Sequence, residues 1–262
     1  MDNVNIANHY AAPDQCMYHI GLSQQMTEKA TVAIVTGDPG RVAALAKYLD
    51  QQAVEIAYVR EYRTYLAHVA NRPVLIASTG IGCPSLAIAL EEFAMIGVKQ
   101  FIRVGTTGAI QPWLDLGDII LSSAAVRLDG TSTHYAPLNY PAVADFELNR
   151  QLVNSAEALG VDLKVGITAS SDTFWPGQER YGNYSGYVLP EFQGTFDQWQ
   201  KLNVLNFEME SAALFTIASA FGLQAACLCG VLAQRGRSET VDKQGYDTAM
   251  ESIMKVIGQI LK

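Results

Sequence analysis

The chain has 262 residues, 49% of them hydrophobic and only 17% charged, which describes a soluble globular protein and excludes a disordered one. At this length folding removes roughly 70–75% of the unfolded chain's surface from water, so neither disulfides nor a structural metal are needed to hold a core. Eighteen Lys plus Arg against 26 Asp plus Glu leave a net charge of −8, which argues against a nucleic-acid or anionic-membrane footprint and leaves any anionic ligand to locally placed arginines.

Apolar runs alternate with helical stretches along the whole chain. Strands are expected at Thr31–Val35, Pro73–Ser78, Gln100–Val104, Asp118–Ser122, Leu163–Ala169 and Ala225–Leu232, several too continuously apolar to have one wet face. Helices are expected at Gly40–Leu49, Pro84–Ile96, Ala144–Leu159, Glu208–Phe221 and Thr248–Leu261. This alternation means an α/β fold with a largely buried sheet. No linker, repeat or composition shift divides the chain, so residues 1–262 read as one domain. The stretches Tyr181–Gly194 and Asp197–Leu205 have the look of an insertion.

Residues 211–234 carry no charge and are numerous enough to cross a bilayer as one helix. Ser211, Thr216, Ser219, Gln224 and Gln234 dilute their apolarity and Phe221-Gly222 interrupts them, so a buried helix, a glycine cap and a buried strand are expected instead. Met1-Asp2-Asn3-Val4 has no basic region ahead of an apolar run, so no secretory leader is expected. Cys16, Cys83, Cys227 and Cys229 include no CxxC pair, and with four histidines they assemble no zinc-ligand spacing; reduced thiols and a cytoplasmic location follow.

In open α/β sheets, ligands gather where strands end and helices begin, and the unusual residues sit there. Thr36-Gly37-Asp38-Pro39-Gly40-Arg41 joins a strand to a helix N-terminus, where free N–H groups, the dipole and Arg41 suit a phosphate-sized anion; an ordinary turn with a surface arginine is the alternative. Ser78-Thr79-Gly80-Ile81-Gly82-Cys83-Pro84-Ser85 imitates a dinucleotide fingerprint but lacks its third glycine, and a tight turn with Pro at the helix start is more economical. Arg103-Val104-Gly105-Thr106-Thr107-Gly108-Ala109 ends its strand on an arginine and then offers hydroxyls and amides, a cradle for an oxyanion or sugar unless Arg103 is a buried structural residue.

Phe174-Trp175-Pro176-Gly177-Gln178-Glu179-Arg180-Tyr181 sets aromatic faces ahead of an amide and a guanidinium, which suits a flat heterocycle whose edge carries both N–H and C=O, as uracil's does; a loop with a solvated arginine is the alternative. Asn206-Phe207-Glu208-Met209-Glu210-Ser211 places two carboxylates near a helix start, either as caps or as acceptors for the paired hydroxyls of a ribose.

Taken in order, GDPGR, STGIGCPS, RVGTTGAIQP, VRLDG, TASSDTFWPGQERY and NFEMES resemble the uridine phosphorylases of the nucleoside phosphorylase superfamily, from about Cys16 to the C-terminus. The resemblance implies a three-layer α/β/α sandwich around a mixed, partly barrel-like sheet, assembled as a homohexamer of three dimers with active sites shared between subunits. It implies that Gly37, Arg41, Arg103 and Thr106 hold phosphate, with Arg60 reaching the same anion from the partner subunit. Thr106, Glu208, Met209 and Glu210 would surround the ribose, and His19 would cross from the partner to its 5′-hydroxyl. Gln178 and Arg180 would read uracil, with Phe174 against the ring and Thr107, Gly108, Phe207 and Arg235 completing the nucleoside site.

A potassium ion between subunits near Glu61, Ile81 and Ser85 is also implied, and no organic cofactor. Gly40, Cys83 and Phe207 depart from the family pattern, and Leu232-Ala233-Gln234-Arg235-Gly236-Arg237 stands where an Asn-Arg-Thr type sequence is usual, which could alter the lid over the base. Residues 1–15 lie outside the resemblance.

The activity so implied is reversible phosphorolysis of uridine to uracil and ribose 1-phosphate in nucleoside salvage, a pentosyltransferase reaction. Arg180, Gln178, Arg103, Arg41 and Glu210 would carry it. A hydrolytic nucleosidase, a purine phosphorylase and a non-catalytic nucleoside-binding protein are the competing readings.

Overall fold

The computed structural model describes residues 10–236 and 243–262; residues 1–9, most of the N-terminal extension, and Arg237 of the lid motif lie outside them. Ten strands and six α-helices are found among the described residues. In chain order they are β1 (Val32–Thr36), α1 (Pro39–Leu49), β2 (Val54–Val59), β3 (Tyr62–Val69), β4 (Arg72–Ser78), α2 (Cys83–Met95), β5 (Gln100–Ala109) and β6 (Ile119–Leu128). There follow β7 (Ala142–Val143), α3 (Phe146–Leu159), β8 (Leu163–Ser171), α4 (Thr195–Lys201), β9 (Val204–Glu208), α5 (Ser211–Ala220), β10 (Gln224–Gln234) and α6 (Lys243–Ile260).

The strands form one mixed sheet in the order β10-β6-β8-β9-β5-β1-β4-β3-β2, and β10 also pairs with β5. The pairs β5–β10, β10–β6, β6–β8, β8–β9 and β9–β5 therefore close a five-stranded barrel, with β1, β4, β3 and β2 extending it as an open sheet. Strand residues alternate between two apolar layers. Val35, Leu75 and Phe101 pack with Leu86 and Phe93 of α2 and Phe215 of α5, while Ile34, Ile76 and Ile102 pack with Val42 of α1, Leu152 of α3 and Ile253 of α6. Both faces are thus covered by helices, the α/β/α arrangement expected, and each fully buried Phe or Ile contributes roughly 1.5–3 kcal/mol.

Residues 211–234 fold as expected into a buried helix, a turn at Gly222 in the left-handed region and a buried strand. No helix among the described residues is long and apolar enough to cross a membrane. Several expectations are corrected. β5 runs on to Ala109, so Arg103 lies within the strand, and the amides after it pair with β10 and β9 instead of forming an open cradle. β6 likewise runs on from the expected end at Ser122 to Leu128. The helix expected from Glu208 begins at Ser211, because Val204–Glu208 is β9, and Asp197–Leu205 is no loose insertion but the end of α4 followed by a strand that closes the barrel.

The hairpin β2–β3 was not expected at all. Its turn holds Arg60 at φ 55°, a left-handed conformation that non-glycine residues visit at a cost, so the usual Asn-Gly signature of a hairpin is missing.

Candidate active site

The C-terminal ends of β1, β5 and β9 and the loop after β8 converge on a cavity of ≈ 310 Å³, enough for a small ligand. At one end lies the start of α1. Asp38 caps this helix, its Oδ1 accepting from the Gly40 N–H at 2.7 Å, and the Arg41 Nε sits 3.7 Å from its Oδ2. Such a cap contributes about 0.5–2 kcal/mol and holds Gly37 and Arg41 at the cavity wall. The turn after β4 crosses close by. Gly80 has φ +73°, and a Cβ there would fall 2.6 Å from the Ser85 Oγ, so this turn admits only glycine.

Behind Arg41 lies a buried charge cluster. Arg103 donates from Nε to Glu208 Oε2 at 3.2 Å and from Nη2 to Glu210 Oε2, while its Nη1 is buried with no acceptor among the described residues. Burial opposes the Arg103 charge, but Glu210 and Glu208 outweigh it and raise the pKa, so Arg103 stays a cation. Burial also pushes the Glu210 carboxyl upward against the pull of Arg103.

The two carboxylates are not equivalent. Glu208 accepts the backbone N–H groups of Glu210 and Ser211 and so satisfies donors at the start of α5. Glu210 accepts the Gly82 N–H on Oε1 at 2.6 Å and keeps further lone pairs on both oxygens for a ligand's hydroxyls. Met209 lines the cavity between them.

At the other end, Phe174, Gln178 and Arg180 face the cavity from the loop after β8. The Arg180 guanidinium stacks over the Phe174 ring at 4.2 Å, and Gln178 is buried in a short 3-10 turn, Pro176–Gln178. A Cβ on Gly177 would strike the hydroxyls of Ser171 and Thr173, so the turn folds tightly against β8. Glu179 fastens the loop by accepting the N–H groups of Gly194 and Phe196 at 2.6 and 2.7 Å. Arg235 does not line the cavity. It lies between Phe196 and Phe207 and donates from Nη1 to the Gln178 carbonyl at 2.6 Å, which holds the turn that presents Gln178.

Thr106, Thr107, Gly108 and Phe207 also line the cavity. The Thr107 hydroxyl, however, is committed inward, to the Phe207 carbonyl at 2.6 Å and the Asn206 amide at 2.7 Å. Residues not anticipated at the cavity include Asp38, Leu232 and Ala233. The last two lie in β10 just before its last residue, Gln234, whose amide nitrogen donates to the carbonyls of Gln111 and Leu114 and whose Oε1 accepts the Gly236 N–H. The unusual glutamine of the lid motif thus staples the strand end that carries Arg235. VRLDG is structural too: Arg127 donates to the carbonyls of Ala136, Pro137 and Tyr140.

Two expected residues stand away from this cavity in their own chain. His19 Nδ1 is 2.6 Å from Glu92 Oε1, and Arg60 at the exposed hairpin tip stacks on Tyr18, which is 76% exposed. Glu61 and Ser85 lie together, the Ser85 Oγ donating to Glu61 Oε1 at 3.0 Å, while Ile81 reaches the cavity mouth.

The fold and the arginine-carboxylate geometry define a class. The chain belongs to the phosphorylase superfamily, whose family model matches residues 31–262. It is 46% identical over 241 residues to the uridine phosphorylases of Haemophilus influenzae and of Escherichia coli, covering 92% of this chain and 95% of each relative. It is 47% identical over 222 residues to the uridine phosphorylase of Thermococcus kodakarensis, covering 85% and 79% of the two chains.

Proposed function

We propose that the chain catalyses the reversible phosphorolysis of uridine to uracil and ribose 1-phosphate, as its relatives' names indicate for them. The observation that carries this reading is the polarity of the cavity. Arg41 and Arg103, the latter with a buried Nη1 that has no acceptor among the described residues, line the cavity together with Glu210, and so do Gln178 and Arg180 beside the Phe174 ring.

In the reaction the C1′–N1 bond breaks with its electron pair going to the base, and a phosphate oxygen forms the new bond to C1′. Positive charge grows on the sugar and negative charge on uracil. Arg41 and Arg103 hold phosphate beneath C1′, and Glu210 accepts the ribose hydroxyls. Gln178 matches the N–H and C=O edge of the base, and Arg180 stabilises its developing charge. No covalent intermediate with the protein is required.

Arg60 and His19 serve the site of a partner subunit in this reading, phosphate and 5′-hydroxyl respectively, within a homohexamer. Glu61 and Ser85 bring together the oxygen donors a hard cation prefers, so they, with the main-chain carbonyl of Ile81, would hold potassium, which would brace the subunit interface. The four cysteines are free, which suits the reducing cytoplasm.

The test is uracil release from uridine with and without phosphate. Release that requires phosphate is expected, and equal rates in phosphate-free buffer refute the proposal.

A further inference from the structure

Four side chains inside the barrel form a continuous hydrogen-bonded chain that the reaction as described does not use. The hydroxyls of Ser122 on β6 and Thr168 on β8 are 2.6 Å apart, Thr168 Oγ1 donates to Asn206 Oδ1 on β9 at 2.9 Å, and Asn206 Nδ2 donates to Thr107 Oγ1 on β5 at 2.7 Å. Thr107 Oγ1 lies 2.6 Å from the carbonyl of Phe207. Ser122, Thr168 and Asn206 are fully buried and Thr107 nearly so.

The direction of each bond follows from proton inventory. A carbonyl only accepts, so the single Thr107 proton points at Phe207, and Asn206 can face Thr107 only with its NH2 group. Its carbonyl oxygen then faces Thr168, which spends its proton there and must accept from Ser122. This arrangement satisfies all four side chains; a flipped amide could still donate to Thr168 but would set its oxygen against the Thr107 oxygen, whose only proton is held by the Phe207 carbonyl, a costly mismatch at this depth.

Thr107 and Phe207 are both wall residues of the cavity. We infer that Asn206 is a positioning residue for the nucleoside end of the site: its amide locks the Thr107 side chain, and through it the Phe207 carbonyl, into the single arrangement that shapes the wall against the base and sugar. The inference rests on the proposed reaction for the identity of the ligand. It also assigns Thr107 a role, since its hydroxyl proton is spent within the protein and is not offered to the substrate.

The test is Asn206→Asp, the same shape without the donor. A carboxylate there confronts the Thr107 oxygen with an acceptor and forces the wall to rearrange. The KM for uridine and the Kd for uracil should rise about tenfold, the loss of one buried hydrogen bond, while the KM for phosphate stays within about twofold. The partners of Asn206 on β5 and β8 are untitratable hydroxyls, and Glu208, two residues along β9, is occupied with Arg103. A buried carboxyl there should therefore titrate above the ordinary range, and its neutral form, again a donor, should restore uridine binding as pH falls.

Thr168→Val, which deprives the Asn206 oxygen of its donor, should raise the uracil Kd about threefold in the same direction and serves if the first variant does not fold. Uracil affinity unchanged in whichever variant folds, with only the melting temperature lowered, overturns the inference by making the chain purely structural. Calorimetry with uracil separates the two layers. Wild-type chain that binds uracil but does not cleave uridine refutes the proposed reaction while the affinity ratio still tests Asn206, and wild-type chain that does neither overturns both.

Discussion

Replacing Arg180 by alanine removes two interactions of different kinds, and kinetics can tell them apart. The guanidinium rests over Phe174 at 4.2 Å in a partly exposed loop, a stacking worth about 0.5–1 kcal/mol that orders the loop whether or not the reaction proceeds. In the proposed reaction its contact with the base grows only as the base becomes anionic, and losing one such donor costs about 2.7–4 kcal/mol of transition-state stabilisation. The first loss should raise the uridine KM by a few-fold; the second should lower kcat by about a hundred- to thousandfold. Arg180→Lys should fall between, since it restores charge but neither the planar stacking nor the fork of donors. Initial rates of uracil release at saturating phosphate give both constants. A kcat within threefold of wild type in Arg180→Ala, with only KM altered, would refute the assignment of leaving-group stabilisation to this residue.

Arg60→Ala and Arg180→Ala chains, each nearly inactive alone, should regain roughly a quarter of wild-type activity after co-refolding, because random pairing makes half the dimers mixed and one of their two sites intact; no recovery among confirmed mixed dimers would place Arg60 in its own subunit's site. Cys83, Cys227 and Cys229 are buried and Cys16 is exposed, so a thiol reagent should find at most one fast-reacting cysteine per native chain and four after denaturation; burial also pushes the Cys83 thiol well up, and a second fast thiol would contradict this packing. The backbone N–H groups of His68 and Gln52 hold the Asp50 carboxyl below its ordinary value of 3.8. That stabilisation is present above pH 3.8 and is lost as pH falls through the lowered pKa, so Asp50→Asn should weaken the protein at neutral pH and flatten its acid unfolding limb; unchanged acid unfolding would show the contact to be without effect.

What the sequence revealed of this fold depended on the kind of burial. Strands covered on both faces, such as Thr31–Val35 and Ala225–Leu232, are written as unbroken apolar runs and were legible. The hairpin β2–β3 was not, because half the residues of β2 face water and its turn uses Arg60 where glycine would have been a signal. β9 was hidden for another reason. Its Asn206 and Glu208 are polar residues buried in a barrel, and polar groups ahead of an apolar helix read as caps until the barrel that satisfies them is seen.

The cavity was legible in its chemistry, since arginine, glutamine and carboxylate motifs are few and stand at strand ends. Which atoms remain for a ligand was not. Arg103 keeps its Nη1 after two carboxylates, Glu208 is spent on a helix start, and the Thr107 hydroxyl points into the barrel; these follow from distances that no spacing encodes.

The charge balance at the phosphate end also bears on why Arg60 sits so far from its own cavity. Arg41 and Arg103 are paired with Asp38, Glu208 and Glu210, two cations among three carboxylates, so within one chain the residues proposed to take an anion are not cation-rich. Arg180 does not correct this in the proposed reaction, where its charge serves the base. An anion held by two cations that are each already shared with carboxylates gains little over its hydration in water. One more guanidinium brings the end to neutrality before phosphate arrives. The hairpin tip offers one: Arg60 is exposed, held in a left-handed conformation and stacked on Tyr18, and it does not line the cavity of its own chain. In the proposed reading, a cation mounted outward on one chain and a cation deficit on the same chain would be the two halves of a shared site, which would give assembly a direct part in anion binding.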